Sequence, residues 1–164
     1  MENQNLIFRN RGFTLIELVA VIVIIAIAAM LAIPMFSSAA GIQIRAAADM
    51  MAADIEYAKS MAISRQKTYT VIFDESAESY RIQDESGIIS HPVTHKDYVV
   101  NFKTDSRVNN VNIVDADFAS SEQVSFNYLG SPDPDNGGSV TLSADAETIM
   151  VTVEAVTGYV SISQ

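Results

Sequence analysis

The 164-residue sequence contains no cysteine. This absence excludes a disulfide framework, a lipoprotein anchor, a thiolate metal site and a thiol nucleophile. Basic residues are also scarce, because ten Lys and Arg stand against twenty Asp and Glu and give a net charge of −10. An acidic surface repels phosphate backbones, so nucleic acid is not expected as a partner. The sequence also lacks a G-x-S-x-G elbow, a phosphate-binding loop and an H-E-x-x-H motif, so we predict a protein that is not an enzyme.

Apolar residues are concentrated near the N-terminus, in the run FTLIELVAVIVIIAIAAMLAI at 13–33, where Glu17 is the one charge. A helix of this length is about 31 Å long and matches the hydrocarbon core of a bilayer. Arg9 and Arg11 precede the run, which predicts a cytoplasmic N-terminus and a downstream domain outside the inner membrane. The run alone is compatible with a plain membrane anchor, and also with a secretory signal peptide cut after Ala40.

A more specific interpretation comes from the motif RGFTLIELVAVIVIIAIAAMLAIP at 11–34. It resembles the N-terminus of type IV pilins and type II secretion pseudopilins, with a polar leader ending at Gly12, then Phe13, Glu17 and Pro34. The resemblance implies that a prepilin peptidase cuts between Gly12 and Phe13 and that the new amino group of Phe13 is N-methylated. It also implies that Glu17 meets the N-terminal amine of a neighbouring subunit and sets the register of assembly.

Placing the charged Glu17 in an apolar segment costs free energy, and pairing with the amine of a neighbouring subunit would offset that cost. A charged side chain inside a membrane span costs roughly 2.5–3.5 kcal/mol and usually marks a function. Two opposite charges become tolerable in an apolar environment when they are paired. The alternative is a carboxylate that reaches the cytoplasmic headgroups, since Glu17 lies near the membrane edge.

A helical pattern continues beyond the apolar run and predicts one helix from Phe13 to Ser64. Its amphipathic stripe recurs at three- and four-residue intervals and consists of Ile44, Ala47, Ala48, Met51, Ile55, Ala58 and Ala62. We divide the chain into a leader at 1–12, a transmembrane and assembly helix at 13–34, and an amphipathic stem at 35–66. Pro34 and Gly41 are expected to kink or interrupt the helix.

Residues 67–164 change to the alternating pattern of β-strands and are predicted to form a periplasmic antiparallel domain. The fold class is therefore α+β, with the stem packed on an antiparallel sheet or a small β-sandwich. A hairpin turn is expected at 156–158. The predicted strands lie at 69–73, 80–82, 98–103, 111–114, 124–129, 139–143, 148–155 and 159–163.

The order of these elements resembles the GspH/FimT group of minor pseudopilins and minor pilins. The matching segments are MMAADIEYAKSMAISRQKTYTVIF, VSFNYLGSP, GSVTLS and TIMVTVEAVTGYVSI. The resemblance implies a single-pass inner-membrane protein that is built into a periplasmic pseudopilus or pilus. Its partners would be prepilin peptidase, other pilin or pseudopilin subunits, the inner-membrane assembly platform and membrane lipid.

Three alternatives remain at this point. The chain could be a major pilin, or a membrane-anchored ligand-binding domain with no assembly role. It could also be a DNA-binding minor pilin, but the closing segment TGYVSISQ contains no Lys or Arg to release counterions.

The sequence offers two weak candidates for a metal site. Asp133, Asp135 and Asn136 could supply calcium ligands, but their loop SPDPDNGGS does not follow the twelve-residue calcium pattern and consists of ordinary turn formers. His91 and His95 are four residues apart, but Pro92 favours a solvated loop over a helix that would aim both rings at a metal. We therefore predict no cofactor and no metal.

Overall fold

The computed structural model describes residues 13–32, 39–134 and 137–164. The chain divides into two compact units, with the boundary between Ser37 and Ser38. The first unit contains helix α1 (Leu15–Ala32), and the second contains helix α2 (Ala39–Arg65) with all the described strands. No helix in the described ranges combines the length and the apolar character that crossing a membrane requires. The membrane span at 13–34 stays a prediction.

Helix α2 buries the predicted stripe. All seven of its members are buried, and Ala40 extends the stripe by one turn. Four of the seven are alanines, and their small side chains let the helix axis approach the strands closely. Helix α2 begins at Ala39 and continues without a break through Gly41, and the predicted kink at Gly41 stays a prediction. Pro34 lies outside the described residues.

The strands form two antiparallel sheets. The first sheet has the order β3-β2-β1-β6, and β4 also pairs with β2. The second sheet has the order β5-β7-β8-β9, and α2 contacts β7, β8 and β9 of this sheet as well as β1 and β6 of the first. The strand bounds are β1 Tyr69–Asp74, β2 Ser79–Asp84, β3 Gly87–Ile88, β4 Val99–Asn101, β5 Asn112–Asp117, β6 Gln123–Phe126, β7 Gly138–Ala144, β8 Glu147–Val153 and β9 Val160–Ser163.

Side chains at the end of β1 and in the β1–β2 turn join the two sheets. Phe73 of β1 stacks on Phe118, which directly follows β5, with ring centroids 5.6 Å apart. Glu75 accepts a hydrogen bond from the backbone N–H of Ala116 at 2.9 Å, and Glu78 accepts one from Ile113. Strand β5 also shifts register between Ile113 and Asp115. The outer edge of β5 is therefore bonded to carboxylates instead of to another strand.

The predicted α+β class is confirmed, most strand bounds shift by one to three residues, and three of the differences have a visible cause or add an element. Strand β6 ends at Phe126, three residues before the predicted end, because Asn127 Oδ1 accepts from the N–H groups of Leu129 and Ser131 and closes a turn. The predicted strand at 98–103 is interrupted by a 3₁₀ turn at Phe102–Thr104. Strand β3 has only two residues and was not predicted. The hairpin turn at 156–158 is confirmed.

Candidate functional site

The N-terminal end of α1 is capped by Thr14. Its Oγ1 accepts a hydrogen bond from the Glu17 N–H at 3.3 Å, and its carbonyl oxygen accepts from the N–H groups of Glu17 and Leu18 at 3.1 and 3.2 Å. Thr14 and Glu17 have the S/T-x-x-E spacing of a capping box. A carboxylate in the first turn is also favoured by the helix dipole. Thr14 therefore caps the helix, and the Glu17 carboxylate lies in the first turn, where the dipole favours it.

Thr14 is the residue of this site that the sequence prediction missed. The signal was present in the four letters TLIE, which place a threonine three residues before the glutamate. This start signal lies inside a continuous apolar run, which by itself indicates a membrane span and not a helix cap. Gly12, the residue before the predicted cleavage point, lies outside the described residues.

The side chains of α1 are exposed on every side of the helix. Every residue from Leu15 to Ala29 is exposed, and Phe13, just before the helix, is 82% exposed. Glu17 is the one charged residue among them. A helix that is apolar all round is stable only inside an apolar environment. The residues of α1 therefore offer a complete cylinder of packing surface with one carboxylate near its start.

A second polar cluster lies in the domain formed by residues 38–164. Asp54 of α2 accepts the hydroxyl of Tyr80 at 2.6 Å and that of Tyr98 at 2.8 Å. Desolvation by burial raises the pKa of Asp54 above its ordinary value and outweighs the two hydrogen bonds, which lower it. The same burial raises the pKa of both tyrosines, and the neighbouring carboxylate adds to the effect. Both carboxylate oxygens are engaged, so this cluster joins α2 to the strands of the first sheet.

An open groove of about 650 Å³ runs beside this cluster. Its wall includes Asp54, His91, Lys96 and the ion pair between Asp105 and Arg107, whose charged atoms are 2.6 Å apart. The Arg107 hydrogen bonds lower the pKa of Asp105 below its ordinary value. The charges of both signs on the wall are compatible with a solvated surface groove.

The two histidines lie on a loop, as predicted, and their rings are not brought together on a helix. The Nδ1 atom of His91 accepts from the N–H groups of Val93 and Thr94 at 3.1 and 3.3 Å. Its ring packs on Tyr98 with centroids 4.6 Å apart. His91 is therefore a turn-forming residue that covers the tyrosine cluster. His91 is only partly exposed, whereas His95 is exposed, as expected for a solvated loop.

The calcium candidate is only partly described. Asp133 is exposed, while Asp135 and Asn136 lie outside the described residues. Across the part of the chain that the structure describes, no group of three or more His, Cys, Asp or Glu is arranged to hold a metal ion. Calcium binding by the 131–138 loop stays an untested alternative.

Solved structures with the same fold are minor pilins and pseudopilins. The type IV minor pilin FimU of Pseudomonas aeruginosa is 16% identical, with 74% of this chain and 88% of that chain covered at a TM-score of 0.54. The minor pseudopilin EpsH of the type 2 secretion system of Vibrio cholerae is 9% identical, with coverages of 74% and 96% and a TM-score of 0.56. At such identities the likeness shows the fold alone. None of the curated proteins matches the sequence significantly.

Two family models match the sequence itself. The prokaryotic N-terminal methylation motif matches residues 7–33, a range that contains Gly12, Phe13 and Glu17. The type II transport protein GspH matches residues 47–157, which is more than half of the chain and includes most of α2 and strands β1 to β8. The sequence and the fold therefore agree, and the chain belongs to the GspH family of pilin-like minor pseudopilins.

Proposed function

We propose that this chain is a minor pilin or pseudopilin that prepilin peptidase cuts between Gly12 and Phe13 and that is then built into a fibre through its N-terminal helix. The observation that carries the proposal is the exposed apolar cylinder of α1 with Glu17 as its single charge. Membership of the GspH family supports a membrane-anchored, periplasmic subunit that associates with other pilin subunits. The inner-membrane assembly platform and membrane lipid are the further proposed partners.

The pairing of two charges explains how α1 enters a fibre. Cleavage after Gly12 would create an ammonium on Phe13, and N-methylation would retain its positive charge. An unpaired carboxylate in an apolar core costs several kcal/mol, and pairing with the amine of a neighbouring subunit offsets much of that cost. The pair would form only at one axial offset between neighbouring helices, so it selects the register. The capping of α1 by Thr14 holds Glu17 in the first turn for this contact.

The first experiment determines the N-terminus. The intact mass and N-terminal sequence are measured on protein from native membranes, with and without active prepilin peptidase. We expect a peptidase-dependent terminus at Phe13 that carries a methyl group. A terminus at Met1 in both strains would overturn the assembly function and leave a plain anchored domain. A terminus at Gly41 would identify a cleaved signal peptide.

The second experiment tests the role of Glu17. We expect Glu17→Ala to be processed normally but to fall about tenfold or more in the sheared fibre fraction, because the partner amine is left buried without a counter-charge. Glu85→Ala removes an exposed carboxylate from the other unit and serves as the matched control. Wild-type incorporation of Glu17→Ala would contradict the proposed pairing. The abundance of the wild-type chain in the same fraction separates a minor subunit from a major one.

A further inference from the structure

Two loops of the domain at residues 38–164 meet at the C-terminal part of α2. Loop 127–131 follows β6, and loop 154–159 connects β8 to β9. Their backbones touch, because a Cβ atom on Gly158 would lie 2.6 Å from the carbonyl oxygen of Gly130. Lys59 of α2 donates a hydrogen bond to the Gly158 carbonyl at 2.9 Å, and Ile63 packs directly against Gly130. The two loops therefore form one surface that is fixed to the helix.

This surface carries four large, exposed side chains, which we call the loop patch. Tyr128 is 58% exposed, Leu129 68%, Val156 61% and Tyr159 62%. Tyrosine is enriched among the residues that dominate binding energy at protein interfaces. Several large apolar and aromatic side chains held together on fixed loops mark an interaction site, whereas single exposed ones do not.

The backbone of the loop patch is strained at Val156. Its φ angle is +68°, in the left-handed region where a β-branched residue is a genuine outlier. The side chain is exposed, so packing within this domain does not repay the strain. Strained residues of this kind cluster at functional sites such as ligand clamps and switch regions. The exposed Val156 belongs to the same hairpin as the exposed Tyr159.

The charge around the loop patch is predominantly negative. Residues 108–164 contain eight Asp and Glu and no Lys, Arg or His. Glu154 belongs to the patch hairpin itself, and Asp133 follows Pro132, which packs against Gly158. Lys59 of α2 also reaches this surface, but its ammonium is already bonded to Gly158 and lies 3.9 Å from Glu56. The rim of the patch is therefore acidic.

A second copy of the chain that faces this one with its own loop patch does not supply the complementary charge. Residues 38–107 of the domain carry ten Asp and Glu against eight Lys and Arg, so the rest of the domain is also slightly acidic. Two acidic patches facing each other would repel. We propose that the loop patch docks a different pilin-like subunit, whose facing surface has an apolar centre surrounded by lysine or arginine side chains. This partner assignment rests on the proposed function.

Photo-crosslinking of the full-length chain tests the proposal in cells that contain prepilin peptidase and the other fibre subunits. A benzophenone analogue of phenylalanine replaces Tyr128 or Tyr159, one position at a time. It replaces Val93, an exposed residue of the loop between β3 and β4, as the control position. We expect both patch positions to give an adduct with one pilin-like subunit that is not a copy of this chain, identified by its peptides. Val93 should give no adduct with that subunit.

Charge reversal then tests the acidic rim. We expect Glu154→Lys to lower the yield of the Tyr128 adduct about tenfold, because it places like charges across the contact. Glu147→Lys reverses an exposed charge at the opposite end of β8 and should leave the yield unchanged. An adduct between two copies of this chain, equal adducts from Val93, or a Glu154→Lys yield equal to wild type would each overturn the proposal.

The N-terminus of the same protein separates the two proposals. A chain that is processed at Phe13 and present in fibres but gives no patch adduct would overturn the docking assignment alone. A chain that keeps Met1 and is absent from fibres would overturn the proposed function and the docking assignment together.

Discussion

Asp54 is the residue on which the polar contacts between α2 and the first sheet depend. Its carboxylate accepts both the Tyr80 and the Tyr98 hydroxyl, and the two tyrosines are almost completely buried. We expect Asp54→Ala to lower the free energy of unfolding by about 1–3 kcal/mol, because two buried hydroxyls lose their acceptor. Thermal and denaturant unfolding in detergent, followed by circular dichroism, measure the change. Asp49→Ala, on an exposed part of the same helix, should have little effect.

The titration of Asp54 gives a second prediction at this scale. Its pKa in the folded protein is raised above the ordinary 3.8, so the folded state binds the proton more tightly than the unfolded chain does. The contribution of Asp54 to stability therefore increases as the pH falls through the folded-state pKa towards 3.8. Asp74 and Asp105 have lowered pKa values, and their contribution is lost as the pH falls through those values.

Because these effects have opposite signs, the test compares two proteins. We expect the free energy of unfolding of the wild type minus that of Asp54→Asn to increase as the pH is lowered from neutral to about 4. Asp74 and Asp105 are present in both proteins, so their contributions cancel in the difference. A difference that is independent of pH, or that decreases on acidification, would show that burial does not dominate the pKa of Asp54.

At the scale of elements, α2 depends on its small residues. Ala58 is fully buried between the helix and the strands. We expect Ala58→Leu to lower the free energy of unfolding by about 1–3 kcal/mol, because the extra carbons must displace packed neighbours. Ala53→Leu adds the same atoms on the exposed face of the same helix and should change stability by less than about 0.5 kcal/mol. Equal unfolding midpoints for the two variants would contradict the observed packing.

The β8–β9 hairpin contains the strained Val156. Asparagine tolerates the left-handed region, so Val156→Asn should raise the free energy of unfolding by about 1 kcal/mol. Val114→Asn replaces another exposed valine, whose φ angle is not positive, and should not stabilise the protein. The thermal unfolding midpoints of the two variants are compared with that of the wild type, and only Val156→Asn should raise the midpoint. If Val156→Asn stabilises the chain and also weakens the patch adduct, stability and docking oppose each other at this residue.

The elements show what the sequence could and could not predict. The stripe of α2 and the β8–β9 hairpin were predicted because periodicity and turn residues are local signals. The early end of β6 was missed because Asn127 closes a turn through its side chain, while the letters YLG after it continue an apolar run. The contact of loops 127–131 and 154–159 joins segments far apart in the chain, and no local pattern indicates it.

At the scale of the whole molecule, the buried residues belong to one core that extends from Ala40 to Val153. We expect residues 38–164 to fold without residues 1–37, since this unit contains the core and all the described strands. The shortened protein should unfold in one cooperative transition and keep a near-ultraviolet tyrosine signal. A compact state without that signal, which binds a hydrophobic dye, would show that the N-terminal unit is needed for folding.

The edge of β5 has a consequence for the assembly proposed above. Sheet edges with free N–H groups tend to recruit strands from other chains and form disordered aggregates. Here Glu75 and Glu78 occupy those groups, and the register shift bends the strand beside them. Strand β9, at the opposite edge, has only four residues. Under the proposed function, subunits are added in order through the N-terminal helix, and these two edges then protect the second sheet against a separate, uncontrolled mode of growth before incorporation.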